Sequence, residues 1–159
     1  MCFVLYAGTR STLPRREWRK DAPALSVKSL SDRDAGIGAH FSSPAVQYIG
    51  STSRCGCYFP HATLQNGEWP EIVYGDYVEQ DEQQVGSDNY NRKALVDLLR
   101  KSGETTVELY GLWDGDFAEE PEADESIPIE RILEPTFRFK EQGMYRVAID
   151  RQQTPEKLS

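Results

Sequence analysis

The sequence predicts an α+β fold in a single domain. Several short runs of β-branched and aromatic residues are separated by polar segments rich in Gly, Pro, Ser and Asp, which is the pattern of strands joined by turns. One longer stretch carries apolar residues at helical spacing. A chain of 159 residues fits one domain with its own core. We therefore expect a mixed or mainly antiparallel sheet of about five strands with one main helix packed on it, over residues 1–151, and a frayed tail over residues 152–159.

The predicted strands are short, and turn residues bound them. The first, Cys2 to Ala7, is apolar and is stopped by Gly8, and we expect it to be central in the sheet. The others are predicted at Leu25 to Leu30, at Val46 to Gly50, at Thr105 to Trp113, and in a closing hairpin from Phe137 to Ile149 with its turn at Gln142 and Gly143.

The main helix is predicted from Ser87 to Ser102. Ser87 is a favourable N-cap, and Gly103 follows the last turn as a stop signal. An acidic stretch over 79–87 is interpreted as a connection ahead of this helix, and a second one over 119–125 as an insertion. The apolar stripe of the helix consists of Tyr90, Ala94, Leu95, Leu98 and Leu99.

The charge balance argues against nucleic acid and membrane surfaces as partners. The chain carries 26 acidic and 18 basic residues, a net charge of −8, and a negative field repels phosphate backbones and anionic lipids. The apolar start, Cys2 to Ala7, is shorter than the hydrophobic region of a signal peptide, and no apolar run reaches transmembrane length. We therefore expect a cytoplasmic protein with an unknown protein or small-molecule partner, and a homo-oligomer is left open.

Two cysteines one residue apart form the densest group of metal-binding or redox-active side chains. Cys55 and Cys57 flank Gly56 in a polar loop over 51–69, directly after a predicted strand, and His61 follows. The chain has three cysteines, and an odd number in a reducing compartment favours free thiols or metal ligands over a disulfide framework. The loop is therefore the candidate site.

The first interpretation of this loop is a metal site. Alternate residues of an extended segment point to the same side, so the two thiolates can hold one zinc ion with Zn–S bonds of about 2.3 Å. We expect His61 to approach from the following turn, and Cys2, or alternatively His40, to supply the fourth ligand if the first strand pairs beside Val46 to Gly50. The single residue between the cysteines is shorter than the spacing usual in zinc motifs, so the pattern alone is weakly specific.

Three other interpretations use the same thiols. A disulfide between Cys55 and Cys57 requires Gly56 to bend, because an extended segment exceeds the Cα separation of about 6.8 Å that a disulfide tolerates. All three thiols can also be small buried hydrophobic side chains, as free cysteines usually are, with Gly56 present for a tight turn. Removal of Met1 would expose the amine of Cys2 beside its own thiol, as in N-terminal nucleophiles, although the apolar residues that follow indicate burial.

Two functions remain open on these grounds. The first is a small protein centred on a Cys and His metal site or on reactive thiols, with zinc as the candidate cofactor. The second is a noncatalytic binding module with buried structural cysteines, in which Trp18, Tyr58, Trp69 and Trp113 line a groove. The first predicts bound zinc and thiols protected from alkylation, and the second predicts no metal. The sequence does not decide whether the protein is an enzyme.

Two segments of the chain carry a recognisable pattern. The start, Met1 to Thr9, reads MC(x)2LYxGT, and residues 40–60 read HFSxPxVQYIGSxxxCGCxFP. Together they resemble a group of small uncharacterised bacterial proteins, and the resemblance covers most of the chain. It implies no activity, cofactor or fold. It does imply that the two cysteine segments form one structural unit, with Cys2 near the pair formed by Cys55 and Cys57.

Overall fold

The computed structural model describes residues 2–64, 66–69 and 82–149, and the predicted tail over 152–159 lies outside these ranges. Along the chain they contain the strands β1 (Phe3–Thr9), β2 (Ser26–Ser29), β3 (Ala45–Gly50), β4 (His61–Ala62), β5 (Thr106–Trp113), β6 (Ala123–Pro128), β7 (Phe139–Lys140) and β8 (Gly143–Ala148). The long helix is α1 (Glu82–Lys101), and two 3-10 helices cover Ala35–His40 and Ile129–Leu133. No helix in the described ranges is long and apolar enough to cross a membrane.

A mixed sheet of six strands, in the order β2-β3-β1-β5-β8-β6, forms the body of the fold. All neighbours in it are antiparallel except β6 and β8, which are parallel. β4 and β7 form a second, parallel sheet of two strands. The predicted α+β class with one main helix is therefore confirmed, and the main sheet has one strand more than we expected.

The first strand has the central position that its apolar sequence predicts. β1 lies between β3 and β5, and every one of its residues is buried. Phe3 and Leu5 face a core that includes Leu95 of α1. Val4 and Tyr6 belong to a second core on the opposite face of the sheet. Because the strand is covered on both faces, an unbroken apolar run is what its position requires.

The main helix begins at Glu82, ahead of the predicted N-cap. Ser87 instead lies inside α1, where its carbonyl accepts a hydrogen bond from Asn91 Nδ2 at 2.8 Å. The residues before Ser87 are acidic and polar, but Glu and Gln are good helix formers and extend the helix. Residues 79–81 of the predicted connection lie outside the described ranges. At the other end the prediction agrees within one residue, since α1 ends at Lys101 and Gly103 has a φ of +75°.

The buried face of α1 differs from the predicted apolar stripe. Leu95 and Leu99 are buried as expected, but Tyr90 is 57% exposed. Positions facing the core one turn earlier are occupied by polar residues, among them Asn91 and Arg92, which are almost fully buried. A stripe inferred from apolar residues misses them, because a core accepts polar side chains only where it supplies hydrogen-bond partners.

Two predictions in the last third of the chain need correction. The acidic stretch over 119–125 is not a separate insertion, because from Ala123 it continues into β6, an edge strand that alternates between half-buried and exposed residues. The segment from Phe137 to Ile149 forms no hairpin, since β7 pairs with β4 while β8 pairs with β5 and β6. The turn itself exists, with Gln142 at a φ of +55°. The alternating sequences of β7 and β8 would allow these strands to pair with each other. In the fold, each of them pairs with other strands instead.

Candidate metal centre

Three sulfur atoms meet beside the start of the central strand. The Sγ atoms of Cys2, Cys55 and Cys57 all lie within 4.8 Å of one another. Cys2 directly precedes β1, and the other two lie in the loop that follows β3. Because β1 and β3 are antiparallel, with Leu5 opposite Ile49, the start of β1 lies beside the end of β3. The expected proximity of the two cysteine segments is therefore confirmed.

The loop reaches this position by folding back on itself after β3. The N–H of Ser51 donates to the carbonyl of Cys55 at 2.7 Å, and the N–H of Arg54 donates to the carbonyl of Ser51 at 3.0 Å. Arg54 has a φ of +80°, a left-handed conformation that turns the chain sharply. The N–H of Phe59 donates to the carbonyl of Gly56 at 2.9 Å, so the chain turns again here and Cys55 and Cys57 do not lie on an extended segment. A turn, and not the alternation of a strand, brings their sulfurs together.

Gly56 holds the middle of the loop against the backbone of β1. Its N–H donates to the carbonyl oxygen of Phe3 at 2.9 Å. A Cβ atom at this position would lie 2.7 Å from that oxygen and 3.1 Å from the Cα of Val4, and these backbone atoms cannot rotate away. Only glycine permits this approach, and the cysteines on either side of it are thereby held beside Cys2.

A buried residue of the helix holds the other side of the loop. Asn91 of α1 accepts the N–H of Thr52 on Oδ1 at 3.0 Å and donates from Nδ2 to the Oγ1 of Thr52, also at 3.0 Å. The indole of Trp18 donates to the carbonyl of Thr52 at 2.9 Å. Sequence reasoning missed Asn91. Its only signal is a polar residue one helical turn before Leu95, on the face that packs on the core.

The sulfurs of Cys55 and Cys57 are in direct contact, 2.8 Å apart. The backbone N–H of Cys57 also donates to the Sγ of Cys55 at 3.4 Å, and the Oγ of Ser53 lies 3.5 Å from the same sulfur. All three cysteines are free thiols, and each is partly exposed. The site thus combines donors that favour a thiolate at Cys55 with access for an ion or a small reagent.

The two thiols of the pair differ in acidity. Burial on its own raises the pKa of Cys55, but hydrogen bonds from Cys57, Ser53 and Cys2 together outweigh it, so the pKa lies below the ordinary thiol value. Burial and the hydrogen bond with Cys55 raise the pKa of Cys57 to about 12. Cys55 is therefore the group that ionises first, and Cys57 keeps its proton while no ion is bound.

Tyr48 lies beside the sulfurs on the side of the second core. Its hydroxyl donates to the carbonyl of Arg54 at 3.0 Å, and its ring packs edge-on against Tyr6 with 5.7 Å between the centroids. Burial, followed by the negative charges of Cys55 and Cys2, raises the pKa of Tyr48. The phenol therefore stays protonated and forms a fixed wall of the site instead of a ligand.

Neither histidine joins the sulfur group. His61 lies on β4, where its ring stacks on Phe3 with centroids 4.3 Å apart and its Nδ1 lies 2.7 Å from the carbonyl oxygen of Phe59. Burial lowers the pKa of His61, so this ring is packed in its neutral form. His40 ends its 3-10 helix with Nε2 at 2.8 Å from the carbonyl oxygen of Phe117. In the described ranges, the three cysteines are the only set of three or more Cys, His, Asp and Glu residues whose ligand atoms all lie within 4.8 Å.

The four aromatic residues of the alternative hypothesis have separate surroundings. Trp69 lines a cavity of about 310 Å³ beside β6 and β7. Trp113 belongs to an aromatic cluster in the core, where its ring meets that of Phe3 edge-on at 6.4 Å between centroids. The indole of Trp18 is hydrogen-bonded to Thr52 in the loop that carries Cys55 and Cys57, which we call the cysteine loop, and Tyr58 is 37% exposed. Among the described residues, Trp69 thus lines a cavity and Trp113 packs in the core, whereas Trp18 contacts the cysteine loop.

No family model, curated protein or solved structure matches the chain. Its class is therefore defined by the fold and the site alone. It is an α+β protein with a mixed six-stranded sheet, in which three cysteines from two distant segments lie close enough to bind one metal ion.

Proposed function

We propose that Cys2, Cys55 and Cys57 bind one soft metal ion, with zinc as the expected ion. The observation that carries the proposal is the meeting of three sulfur atoms from two distant segments within 4.8 Å. Thiolates are the ligands that zinc and other soft ions prefer. Packing of cysteines as small apolar side chains does not require their sulfur atoms to converge on one point.

The spacing of the sulfurs suits a single ion. With Zn–S bonds of about 2.3 Å, tetrahedral geometry separates two bound sulfurs by about 3.8 Å. The closest pair, Cys55 and Cys57 at 2.8 Å, has to open by about 1 Å to admit the ion. The backbone of Gly56 is fixed on β1, so rotation about the Cα–Cβ bonds of the two cysteines supplies this opening.

The fourth position of a tetrahedral ion is left open by the described residues. No His, Asp or Glu side chain of these ranges joins the three sulfurs. Three protein ligands with an open position are typical of zinc sites that bind water or a substrate, whereas structural sites are closed by four. The apolar cores on both faces of the sheet consist of other residues and include none of the three cysteines. We therefore expect the site to be a reactive metal site and not a structural one.

His61 is the next candidate for the fourth position. Its Nδ1 is held at the carbonyl oxygen of Phe59, which leaves Nε2 as the nitrogen available to an ion. The variant His61→Gln distinguishes a site of three sulfur ligands from a site in which His61 is the fourth ligand. A fall in zinc affinity would add His61 to the ligands, and an unchanged affinity would leave the three sulfurs as the whole protein contribution. His40→Gln makes the same test for His40.

The remaining sequence predictions agree with such a site and stay proposals. A reducing cytoplasm would keep the three thiols available to a metal ion. A net charge of −8 disfavours nucleic acid, so the open position would receive a small molecule or a group of a protein partner. We also expect the same three cysteines in the bacterial proteins that the chain resembles.

Elemental analysis of protein purified without a histidine tag tests the proposal. We expect about one zinc per chain, the number that one three-sulfur group can hold. Each of the variants Cys2→Ser, Cys55→Ser and Cys57→Ser should lose it. Substitution by cobalt gives a second readout, because thiolate-to-cobalt absorption reports sulfur ligands directly. Protein that binds neither ion and whose thiols react equally fast with an alkylating reagent with and without zinc would contradict the proposal.

A further inference from the structure

The direct contact between Cys55 and Cys57 points to a reaction of their own. We propose that this pair is a redox couple that a hydroperoxide oxidises to a disulfide, and that the reaction expels the ion held by the three sulfurs. The release of the ion rests on the proposed function, whereas the formation of the disulfide does not. The proposed oxidant is a small hydroperoxide, and the product at the protein is a disulfide between positions 55 and 57.

The loop has the shape that this disulfide requires. In an extended Cys-x-Cys segment the Cα atoms lie too far apart, but here the chain turns at Gly56, whose carbonyl accepts the N–H of Phe59 at 2.9 Å, and the two sulfurs lie 2.8 Å apart. The N–H of Gly56 on the carbonyl of Phe3 fixes the backbone between the two cysteines. The pair is thus brought together by the fold itself.

The surroundings of the two sulfurs differ, and they assign the attacking atom. The Sγ of Cys55 has the N–H of Cys57 at 3.4 Å and the Oγ of Ser53 at 3.5 Å, which stabilise negative charge on that sulfur. The Sγ of Cys57 lies directly next to it and is the resolving thiol. Partial exposure of both residues gives a small hydroperoxide access to Cys55.

The reaction balances in two steps. The thiolate of Cys55 attacks one peroxide oxygen, so that an S–O bond forms and the O–O bond breaks, and the leaving alkoxide takes a proton from solvent to become an alcohol. The sulfur of Cys57 then attacks the oxidised sulfur of Cys55. The S–S bond forms, the S–O bond breaks, and the departing hydroxide takes a proton from solvent, or the thiol proton of Cys57 in the metal-free protein, to become water. Two electrons pass from the two sulfurs to the hydroperoxide, which is the oxidant.

Cys2 is the member of the group that the reaction does not consume. It precedes β1, whereas the reacting pair shares one loop. Oxidation converts two of the three thiolates into disulfide sulfurs, which are poor ligands because they carry no charge. One thiolate does not hold the ion, and release of the ion therefore reports the oxidation.

Treatment of the zinc-loaded protein with one equivalent of hydrogen peroxide tests the proposal. We expect the number of titratable thiols to fall from three to one, the intact mass to fall by two hydrogen atoms, and the bound zinc to appear on a chromogenic chelator. Peptide mapping should place the disulfide between Cys55 and Cys57. In Cys57→Ser, dimedone should trap the sulfenic acid at Cys55, and Ser53→Ala should slow the oxidation.

The variant Cys2→Ser separates this proposal from the metal site. We expect it to lose zinc and still to form the disulfide between Cys55 and Cys57. Cys2→Ala should do the same, and a circular dichroism spectrum shows whether each variant is folded. A disulfide that involves Cys2, or zinc and thiols that both survive peroxide, would overturn the redox couple and leave the metal site standing. A chain that never binds zinc but forms the disulfide between Cys55 and Cys57 would overturn the metal site alone.

Discussion

Asn91 of α1 and Thr52 of the cysteine loop exchange two hydrogen bonds, each 3.0 Å long. Asn91 is fully buried, and its Nδ2 also donates to the carbonyl of Ser87 at 2.8 Å. The loop that carries Cys55 and Cys57 is therefore attached to the longest helix in the described part of the chain. A site built on a loop keeps a precise geometry only where contacts of this kind hold it.

Replacement of Asn91 should weaken zinc binding as well as the fold. In Asn91→Ala the N–H of Thr52 loses its buried partner, so we expect the free energy of unfolding to fall by about 1–3 kcal/mol. The loop gains freedom, and we expect zinc affinity to fall by about tenfold or more, as for other residues that orient ligands. Urea denaturation and competition with a chelator measure the two effects. Asn89→Ala, at an exposed position of the same helix, is the control.

Gly56→Ala should displace the loop from β1. The added Cβ would lie 2.7 Å from the carbonyl oxygen of Phe3, so the hydrogen bond to that oxygen has to break. We expect the free energy of unfolding to fall by about 1–3 kcal/mol and zinc affinity to fall with it. Gly86→Ala is the control, because nothing lies within 4 Å of its added Cβ and alanine suits a helix. A Gly56→Ala protein with unchanged stability would contradict the close approach.

A part of the fold was predictable where its sequence pattern is compatible with only one structure. The apolar run of β1 predicts a strand covered on both faces, and Gly103 predicts the end of α1. The pairing of β7 with β4 was not predictable, because alternation along a strand does not identify its partner. Asn91 and Arg92 were missed for a related reason, since a buried polar residue is recognised only from the groups that satisfy it.

The residues of the candidate site were more predictable from the sequence than their arrangement in space. Adjacent antiparallel strands bring Cys2 to the loop after β3, a pairing that the sequence allowed but did not require. The contact between Cys55 and Cys57 depends on the turn at Gly56 and on the approach of Gly56 to β1, and a glycine between two cysteines does not by itself identify either. His61 follows the cysteines closely in sequence, but it stacks on Phe3, since β4 leads the chain toward β7.

A buried carboxylate holds the segment before β3. Glu108 of β5 is 5% exposed and accepts hydrogen bonds from the backbone N–H and the hydroxyl of both Ser42 and Ser43. Burial on its own raises the pKa of Glu108, but these hydrogen bonds outweigh it, and the pKa lies below the usual range of a glutamate. The ionised form is therefore the one that stabilises the fold.

The contribution of Glu108 should depend on pH in a definite direction. Because its pKa is lower in the folded protein than the value of about 4.3 in the unfolded chain, its stabilisation is complete above that value and is lost as the pH falls through the folded pKa. Glu108→Gln should therefore be less stable than the unmodified protein at neutral pH, and the difference should shrink in acid. Thermal unfolding across this pH range measures it, with the exposed Glu120→Gln as control. A difference that does not change with pH would contradict the role of the charge.

Arg92 holds a different part of the molecule from its neighbour Asn91. Its side chain is 1% exposed, and its guanidinium donates to carbonyl oxygens in the second 3-10 helix and in the segment between that helix and β7. The acceptors are the carbonyl oxygens of Ile132, Glu134, Pro135 and Phe137. A planar guanidinium can reach four oxygens at once, whereas a lysine ammonium has three donors on a single atom.

Adjacent substitutions on α1 should therefore separate stability from metal binding. Arg92→Lys leaves buried carbonyl oxygens without donors, so we expect the free energy of unfolding to fall by about 3 kcal/mol. Because none of the acceptors named for Arg92 belongs to the cysteine loop, zinc affinity of the folded protein should stay unchanged, in contrast to Asn91→Ala. The exposed Lys93→Met is the control for both measurements. Equal losses of zinc affinity in Arg92→Lys and Asn91→Ala would mean that α1 supports the site only through global stability, and that the contact with Thr52 has no role of its own.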